Sequence, residues 1–171
     1  QYTIGASNVT LYAVWKINQY TITFNGNGGS TPSKITQNYN TTVTLPTSTR
    51  EGYTFLGWAT SNTATSPEYT NKYIVEAKNI TLYAVWSINS YTVTYDGNGD
   101  GATIPAPVTK TYGSLITLAT STREGYTFLG WARTSTATTK EYSGGEVYRI
   151  GASNVTLYAV WKINQYTITF N

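Results

Sequence analysis

Few residues in this chain are suited to chemistry. Asp96-Gly-Asn98-Gly-Asp100-Gly101 has the spacing that opens a calcium loop, in which alternate oxygen-bearing side chains converge on the ion and a glycine makes the sharp turn. The twelfth position of such a loop, where a bidentate Glu belongs, is Pro107, and no flanking helices are expected. The equivalent stretch earlier in the chain, Asn25-Gly-Asn27-Gly-Gly29, has no carboxylate. Asp96, Asn98 and Asp100 therefore make at most a single-copy cation site, and a glycine-rich hairpin turn is the stronger reading.

Other chemistries fare worse. The sequence has no His and no Cys, so the usual general base and the thiol nucleophile are missing. Glu51 and Glu124 fall in a repeated turn, while Glu68, Glu76, Glu141 and Glu146 are scattered through divergent segments, and no carboxylate pair is suggested. No enzyme activity and no cofactor are expected. Lys16 and Lys162, with Asn18 and Asn164 nearby, raise the idea of a Lys-Asn isopeptide bond, but these residues lie in linkers and Ser87 replaces the lysine in the middle copy. Four N-x-Thr sequons, at Asn8, Asn40, Asn79 and Asn154, arise readily in a chain this rich in Asn and Thr. Tyr39, Tyr69, Tyr73, Tyr112 and Tyr142 stand outside the regular strand pattern and are expected at the surface. Of these, Tyr69 and Tyr142 are the candidates for contact with a host glycan or protein.

The elements that position these residues come in repeats. Leu-Tyr-Ala-Val-Trp occurs at 11–15, 82–86 and 157–161, at steps of 82 − 11 = 71 and 157 − 82 = 75. Four residues after each copy comes Tyr-Thr-x-Thr-aromatic, at 20–24, 91–95 and 166–170. Ile4 to Asn25 and Ile150 to Asn171 are identical, so the sequence opens and closes at one phase of the repeat. Residues 20–90 and 91–165 are then two full units, with 1–19 the end of a preceding unit and 166–171 the start of a following one. The missing initial Met also points to a piece of a longer protein.

Within a unit the pattern is β. Tyr20-Thr-Ile-Thr-Phe24 alternates with period 2, which directs Tyr20, Ile22 and Phe24 inward. Further strands are expected at 41–45, 53–58, 72–75 and 80–86, and at 115–118, 126–131, 146–150 and 155–161. Gly57, inside the Tyr53 to Trp58 strand, marks a bulge or a close approach, with the Trp58 or Tyr53 ring expected over it. No segment carries a convincing 3.6-residue apolar period.

Composition sets the limits. A unit of about 70 residues is close to the smallest that one apolar core can hold. The 16 Tyr and 5 Trp supply that core, since each aromatic buries about 150–250 Å². Only 11% of residues are charged, so Thr, Asn, Ser and Gly carry solubility, and a net charge of +3 without a basic run does not suggest nucleic acid. No apolar run is long enough to span a bilayer. The linkers Ser87-Ile-Asn-Ser90 and Lys162-Ile-Asn-Gln165 reach only about 13–14 Å when extended. Their apolar residue, and its counterpart in the first copy (Ile17, Ile88, Ile163), is expected to pack at the joint, holding the units end to end as a rod.

Three ordered strings, Tyr-Thr-Val-Thr-Tyr-Asp-Gly-Asn-Gly (91–99), Arg-Glu-Gly-Tyr-Thr-Phe-Leu-Gly-Trp (123–131) and Thr-Leu-Tyr-Ala-Val-Trp (156–161), resemble the Listeria-Bacteroides repeat. The second unit departs from it by an inserted Asp100 to Pro107 stretch. The resemblance implies a small ubiquitin-like β-grasp unit with parallel first and last strands, in extracellular proteins of the bacterial cell surface. It points to a structural stalk whose partners are neighbouring repeats, with adhesion to host glycan or protein, or head-to-tail strand complementation between copies, as alternatives.

Overall fold

In the computed structural model, which describes residues 3–170, the described residues form strands and turns and no helix. The first repeat comprises β1 (Gln19–Asn25), β2 (Ile35–Asn38), β3 (Thr42–Thr44), β4 (Tyr53–Ala59), β5 (Lys72–Ile74) and β6 (Ile80–Ile88). They make a four-stranded sheet in the order β2-β1-β6-β4 and a two-stranded ribbon of β3 and β5. The second repeat does the same with β7 (Ser90–Asp96), β8 (Val108–Thr111), β9 (Leu115–Thr117), β10 (Tyr126–Ala132), β11 (Val147–Arg149) and β12 (Val155–Ile163), in the order β10-β12-β7-β8 beside a β11-β9 ribbon.

First and last strands are neighbours and parallel, with Ile22 opposite Ile80 and Phe24 opposite Leu82, and Val93 opposite Val155 and Tyr95 opposite Leu157. With antiparallel strands outside them, this is the mixed sheet of a β-grasp unit. Each parallel pair is also tied by a side chain: the Thr21 and Thr92 amides donate to the Asn79 and Asn154 carboxamides at 2.8 and 2.9 Å.

Two compact units emerge from the contacts. One takes in residues as far as Asn27 with Thr31–Ser48 and Gly57–Val85; the other takes in Gly28–Ser30, Thr49–Leu56 and the chain from Trp86 onward. In the first, Trp58 is fully buried, its ring 4.8 Å from Phe24 and its indole N–H donating to the Pro46 carbonyl at 2.7 Å. In the second, Trp131 repeats this against Tyr95 at 4.8 Å and the Ala119 carbonyl at 2.6 Å, within a core of Val93, Ile116, Leu118, Ile150 and Leu157. Seating the indole N–H on a carbonyl lets so large a ring enter the core without an unsatisfied donor.

Several expectations are met with shifts of a residue or two: Ile22 and Phe24 are buried, Tyr20 half-buried. Others are corrected. β2 and β8, Ile-Thr-Gln-Asn and Val-Thr-Lys-Thr, are edge strands in polar stretches outside the strands expected from the sequence. An edge strand needs little apolar content when it pairs through its backbone, and here hydroxyl pairs reinforce it: Thr21 with Thr36 at 3.0 Å, Thr92 with Thr109 at 2.8 Å. The linker Ser87 to Ser90 is largely strand, because β6 runs to Ile88 and β7 begins at Ser90, leaving only Asn89 between. Val9 to Ile17, identical in sequence to β12, forms no strand, and Leu11 and Trp15 are 72% and 89% exposed.

Gly130 marks a bulge, seen as a register shift between Phe128 and Gly130, and Gly57 marks a close approach of the same kind. What closes over them is main chain rather than an aromatic ring. A Cβ on Gly57 would lie 2.6 Å from the Tyr69 carbonyl, and one on Gly130 2.3 Å from that of Tyr142, at φ of 142° and 145°. The approach is fixed by paired hydrogen bonds: the Trp58 amide donates to Tyr69 at 2.8 Å and the Trp131 amide to Tyr142 at 2.8 Å. Gly130→Ala should therefore cost the second unit at least about 3 kcal/mol, against about 1 kcal/mol for Gly101→Ala. Gly101 also has positive φ, but nothing stands near its missing Cβ. Urea midpoints of the two variants measure the difference, and equal losses would refute the close-approach account.

Candidate functional site

Three places can be built from residues upward: the Gly-Asn loops, the off-strand tyrosines, and the stretch around Asn89. In the loop after β7 the Asp96 carboxylate accepts from the Asn98 amide at 2.8 Å, an Asx turn that holds Asn98 at φ 49°. The Asn98 carboxamide N–H group then donates to the carbonyls of Ser135 at 2.9 Å and Ala159 at 3.0 Å. Asp100 offers its main-chain carbonyl to Arg123 Nε at 3.1 Å. After β1 the same clamp is made without any carboxylate: Asn25 accepts from the Asn27 amide at 2.9 Å, and Asn27 donates to Asn62 and Ala84 at 3.0 and 3.1 Å. The repeated element is an asparagine that staples the turn to the last strand, and no group of three acidic, His or Cys side chains gathers around a cation position among the described residues.

Asp at position 98 would turn a two-bond donor into a charge facing two carbonyls. Asn98→Asp should destabilise the second unit by about 2–4 kcal/mol, more than Asn98→Gly, which keeps the backbone conformation and removes the repulsion. Thermal unfolding of the two variants tests this; a more stable Asn98→Asp protein, or one stabilised specifically by calcium, would overturn it.

Among the tyrosines, Tyr39 is 49% exposed as expected, but Tyr73 is 3% exposed and belongs to the core. Tyr69, Tyr112 and Tyr142 are half-buried. Tyr69 meets Tyr73 edge to face at 5.2 Å, and Tyr142 meets Tyr148 in the same way at 5.2 Å. Arg133 donates to the Tyr142 hydroxyl and lies 5.5 Å from its ring. Both rings are half-buried, each edge to face with one neighbouring tyrosine, beside Gly57 and Gly130. Burial raises the Tyr69 and Tyr73 phenols above the ordinary tyrosine range, with Glu68 and Glu76 adding to it at Tyr69 and Glu76 at Tyr73. Burial also raises Tyr142, against the pull of Arg133.

A phenol raised in the folded state holds its proton more tightly there than in the unfolded chain. Its contribution to stability is complete below the unfolded value of about 10 and is lost as pH rises through the higher folded values. The unfolding midpoint should fall as pH is raised past 10, and Tyr73→Phe should reduce that slope; a midpoint independent of pH there would contradict the assignment.

Asn89 stands where the two sequence repeats meet, inside the second compact unit. Its flanking Ile88 is 42% exposed, so apolar packing of that side chain is not what holds the chain here. The work is polar and aromatic. Asn89 N–H donates to the Gly52 carbonyl at 2.9 Å, the Asn89 carbonyl accepts from Tyr112 N–H at 2.8 Å, and the Thr54 hydroxyl donates to the Asn89 carboxamide at 2.6 Å. The Tyr112 ring fills the space above Gly52, where a Cβ would sit 2.2 Å from ring carbons. Tyr53 meets Tyr112 edge to face at 6.2 Å, with the Arg50 guanidinium 3.8 Å over the Tyr53 ring. Gly52 has φ 76° and is buried, so glycine is required twice, by backbone and by space. The sequence signal for this contact lies in the Ile-Asn common to all three linkers and in Gly52 and Gly125 after Arg-Glu.

Comparison with known proteins follows these elements. The model of the Listeria-Bacteroides repeat domain matches residues 20–85 and 91–160. The chain is 39% identical over 150 residues to internalin H of Listeria monocytogenes, covering 85% of this chain and 25% of that protein. It is 40% identical over 164 residues to a protein of Evansella cellulosilytica named as a membrane protein, covering 93% of the chain and 24% of the relative. It thus spans about a quarter of the length of these relatives. Among solved structures, SHIRT domains 3-4 of a streptococcal cell surface protein align with a TM-score of 0.28 at 13% identity, over 85% of this chain and 98% of that one. Both matched stretches begin on the first strand of a sheet and end within its last, and the chain belongs to the Listeria-Bacteroides repeat domain family.

Proposed function

We propose that this chain is a load-bearing spacer of an extracellular bacterial surface protein, a stalk segment with no catalytic role. One observation carries the reading: in each repeat the first and last strands lie side by side and parallel. Tension along the polypeptide would enter at the start of β1 or β7 and leave at the end of β6 or β12. Parallel neighbours pulled from those opposite ends are loaded in shear, so several hydrogen bonds and the packed side chains of a central strand must fail together. Strands loaded at the same end unzip one bond at a time.

Other features support the same role. The relative internalin H shares the repeat at 39% identity. A surface with few charges and many hydroxyl and amide groups suits a protein outside the cell, and among the described residues no helix is long and apolar enough to cross a membrane. Catalysis has no His or Cys to use.

Single-molecule stretching tests the proposal. Pulled through its ends, the chain should unfold in two steps, each releasing about 70 residues and hence about 240 Å of contour. The force should exceed clearly that needed when the second repeat is pulled between residues 90 and 154, which loads the parallel strands β7 and β12 from the same end and so unzips them. Equal forces in the two geometries would remove the basis for a load-bearing role.

A further inference from the structure

In an Asn-Gly dipeptide the side chain is open to attack by its own main chain, because glycine puts no Cβ in the way of the following nitrogen. The chain holds three such dipeptides, Asn25-Gly26, Asn27-Gly28 and Asn98-Gly99. Their surroundings differ. The carboxamide nitrogens of Asn27 and Asn98 each donate to two carbonyls, those of Asn62 and Ala84 and those of Ser135 and Ala159, at 2.9–3.1 Å. Bending either side chain back toward its own glycine would break both bonds. Asn25 is exposed at the end of β1, and its carboxamide nitrogen has no acceptor among the described residues.

Asn25 is engaged through its oxygen instead. Its Oδ1 accepts from the Asn27 amide at 2.9 Å, an Asx turn that folds the side chain over the Gly26 peptide. The same bond draws electrons from the carboxamide carbon, and it is placed to hold the negative charge that the oxygen gains when that carbon is attacked. The attacking atom is provided for as well, since the Gly26 N–H donates to Thr31 Oγ1 at 3.1 Å. In the second repeat the turn is built on Asp96, whose carboxylate accepts from the Asn98 amide at 2.8 Å. The fold therefore accepts an acid at this place.

We propose that Asn25 is a self-modification site, at which the chain converts its own asparagine to a carboxylate. The Gly26 nitrogen gives up its proton to solvent and bonds to Asn25 Cγ, the bond from Cγ to Nδ2 breaks, and the side-chain nitrogen leaves as ammonia. Water then opens the resulting succinimide ring at one of its two carbonyls, giving aspartate or isoaspartate. Water is the only reagent consumed. Aspartate at 25 reproduces the turn already built on Asp96, whereas isoaspartate adds a methylene to the main chain where Asn25 faces Tyr83 of β6, and so loosens the end of the central strand pair. At Asn98 the same conversion would set a carboxylate against two carbonyls, and the clamp holds it off. The inference stands apart from the load-bearing role, since the reaction depends on the turn alone.

Peptide mapping by mass spectrometry, on the intact chain kept for weeks in warm, mildly alkaline buffer, reads all three sites at once. Asn25 should turn to acid at least about tenfold faster than Asn27 or Asn98. In urea, where all three are bare Asn-Gly dipeptides, the rates should draw level. Asn25→Asp should abolish the fast phase of ammonia release from the folded chain. A folded chain in which Asn25 reacts no faster than the other two overturns the proposal. So does a fast phase that persists in Asn25→Asp, or a preference for Asn25 that survives unchanged in urea and so owes nothing to the fold.

Discussion

Each repeat depends on one long-range event, the parallel pairing of its first strand with its last. Nothing local favours it, because parallel strands cannot be joined by a tight turn and the pairing closes a loop of most of the repeat. The pairing succeeds because it places the most apolar strand in the centre. In β6 the side chains of Leu82, Ala84 and Val85 are buried, and in β12 those of Leu157, Ala159 and Val160. The chain carries its own control for this claim. Val9 to Ile17 has the sequence of β12 letter for letter and forms no strand, with Val14 and Trp15 almost fully exposed. The β-propensity of Leu-Tyr-Ala-Val-Trp is the same in both places, so the strand is made by its neighbours and not by its residues.

Once the central pair is in place, the rest of each unit anchors onto it at a few stiff points. The asparagines at 27 and 98 fasten the first turn to the last strand through the carbonyls of Ala84 and Ala159. The bulge at Gly130 and the matching close approach at Gly57 stand next to the buried tryptophans, and Tyr69 and Tyr142 hold them with reciprocal main-chain bonds. Charge contributes little to this scheme; the Lys78–Glu76 pair at 2.7 Å is exposed on both sides, a setting in which ion pairs add little stability. A fold held by shape, main-chain pairing and amide groups holds together without disulfides, which a chain with no Cys cannot form.

The sequence made some of this legible, and the reasons for the rest are physical. Period-2 alternation located β1 and β7, and the Gly-Trp pairs located β4 and β10, because buried faces leave that mark. β2 and β8 left none, since an edge strand pairing through backbone and threonine hydroxyls has no apolar face to display. Tyr73 reads as a surface residue because its three-residue strand is too short to show alternation, yet it is buried in the middle pair of the β3–β5 ribbon, opposite Val43. Reading Ile17, Ile88 and Ile163 as a buried joint followed hydrophobicity. The actual contacts run through Asn89, Gly52 and Tyr112, where a small residue makes room and a hydrogen-bonding one sets direction. Such contacts are invisible to a scale that ranks residues by apolarity.

Near-identity between repeats also creates a register problem that the fold must answer. Tyr20 to Phe24 could in principle pair with β12 instead of β6, because the facing residues are almost the same: Ile80-Thr-Leu-Tyr against Val155-Thr-Leu-Tyr. Chain entropy discriminates only weakly, since doubling a loop costs about 0.6 kcal/mol. Side-chain ties do not discriminate either, because Asn79 and Asn154 offer the same acceptor. Discrimination has to come from the segments that differ: the lengthened turn from Asp100 to Pro107, and the divergent loops after β4 and β10 that receive the Asn27 and Asn98 carboxamides at Asn62 and Ser135. The variable loops thus have a reason to vary that is independent of any ligand. They give each first strand a partner unit that fits its own turn, and they let strands of one sequence lie in series along a chain without exchanging places.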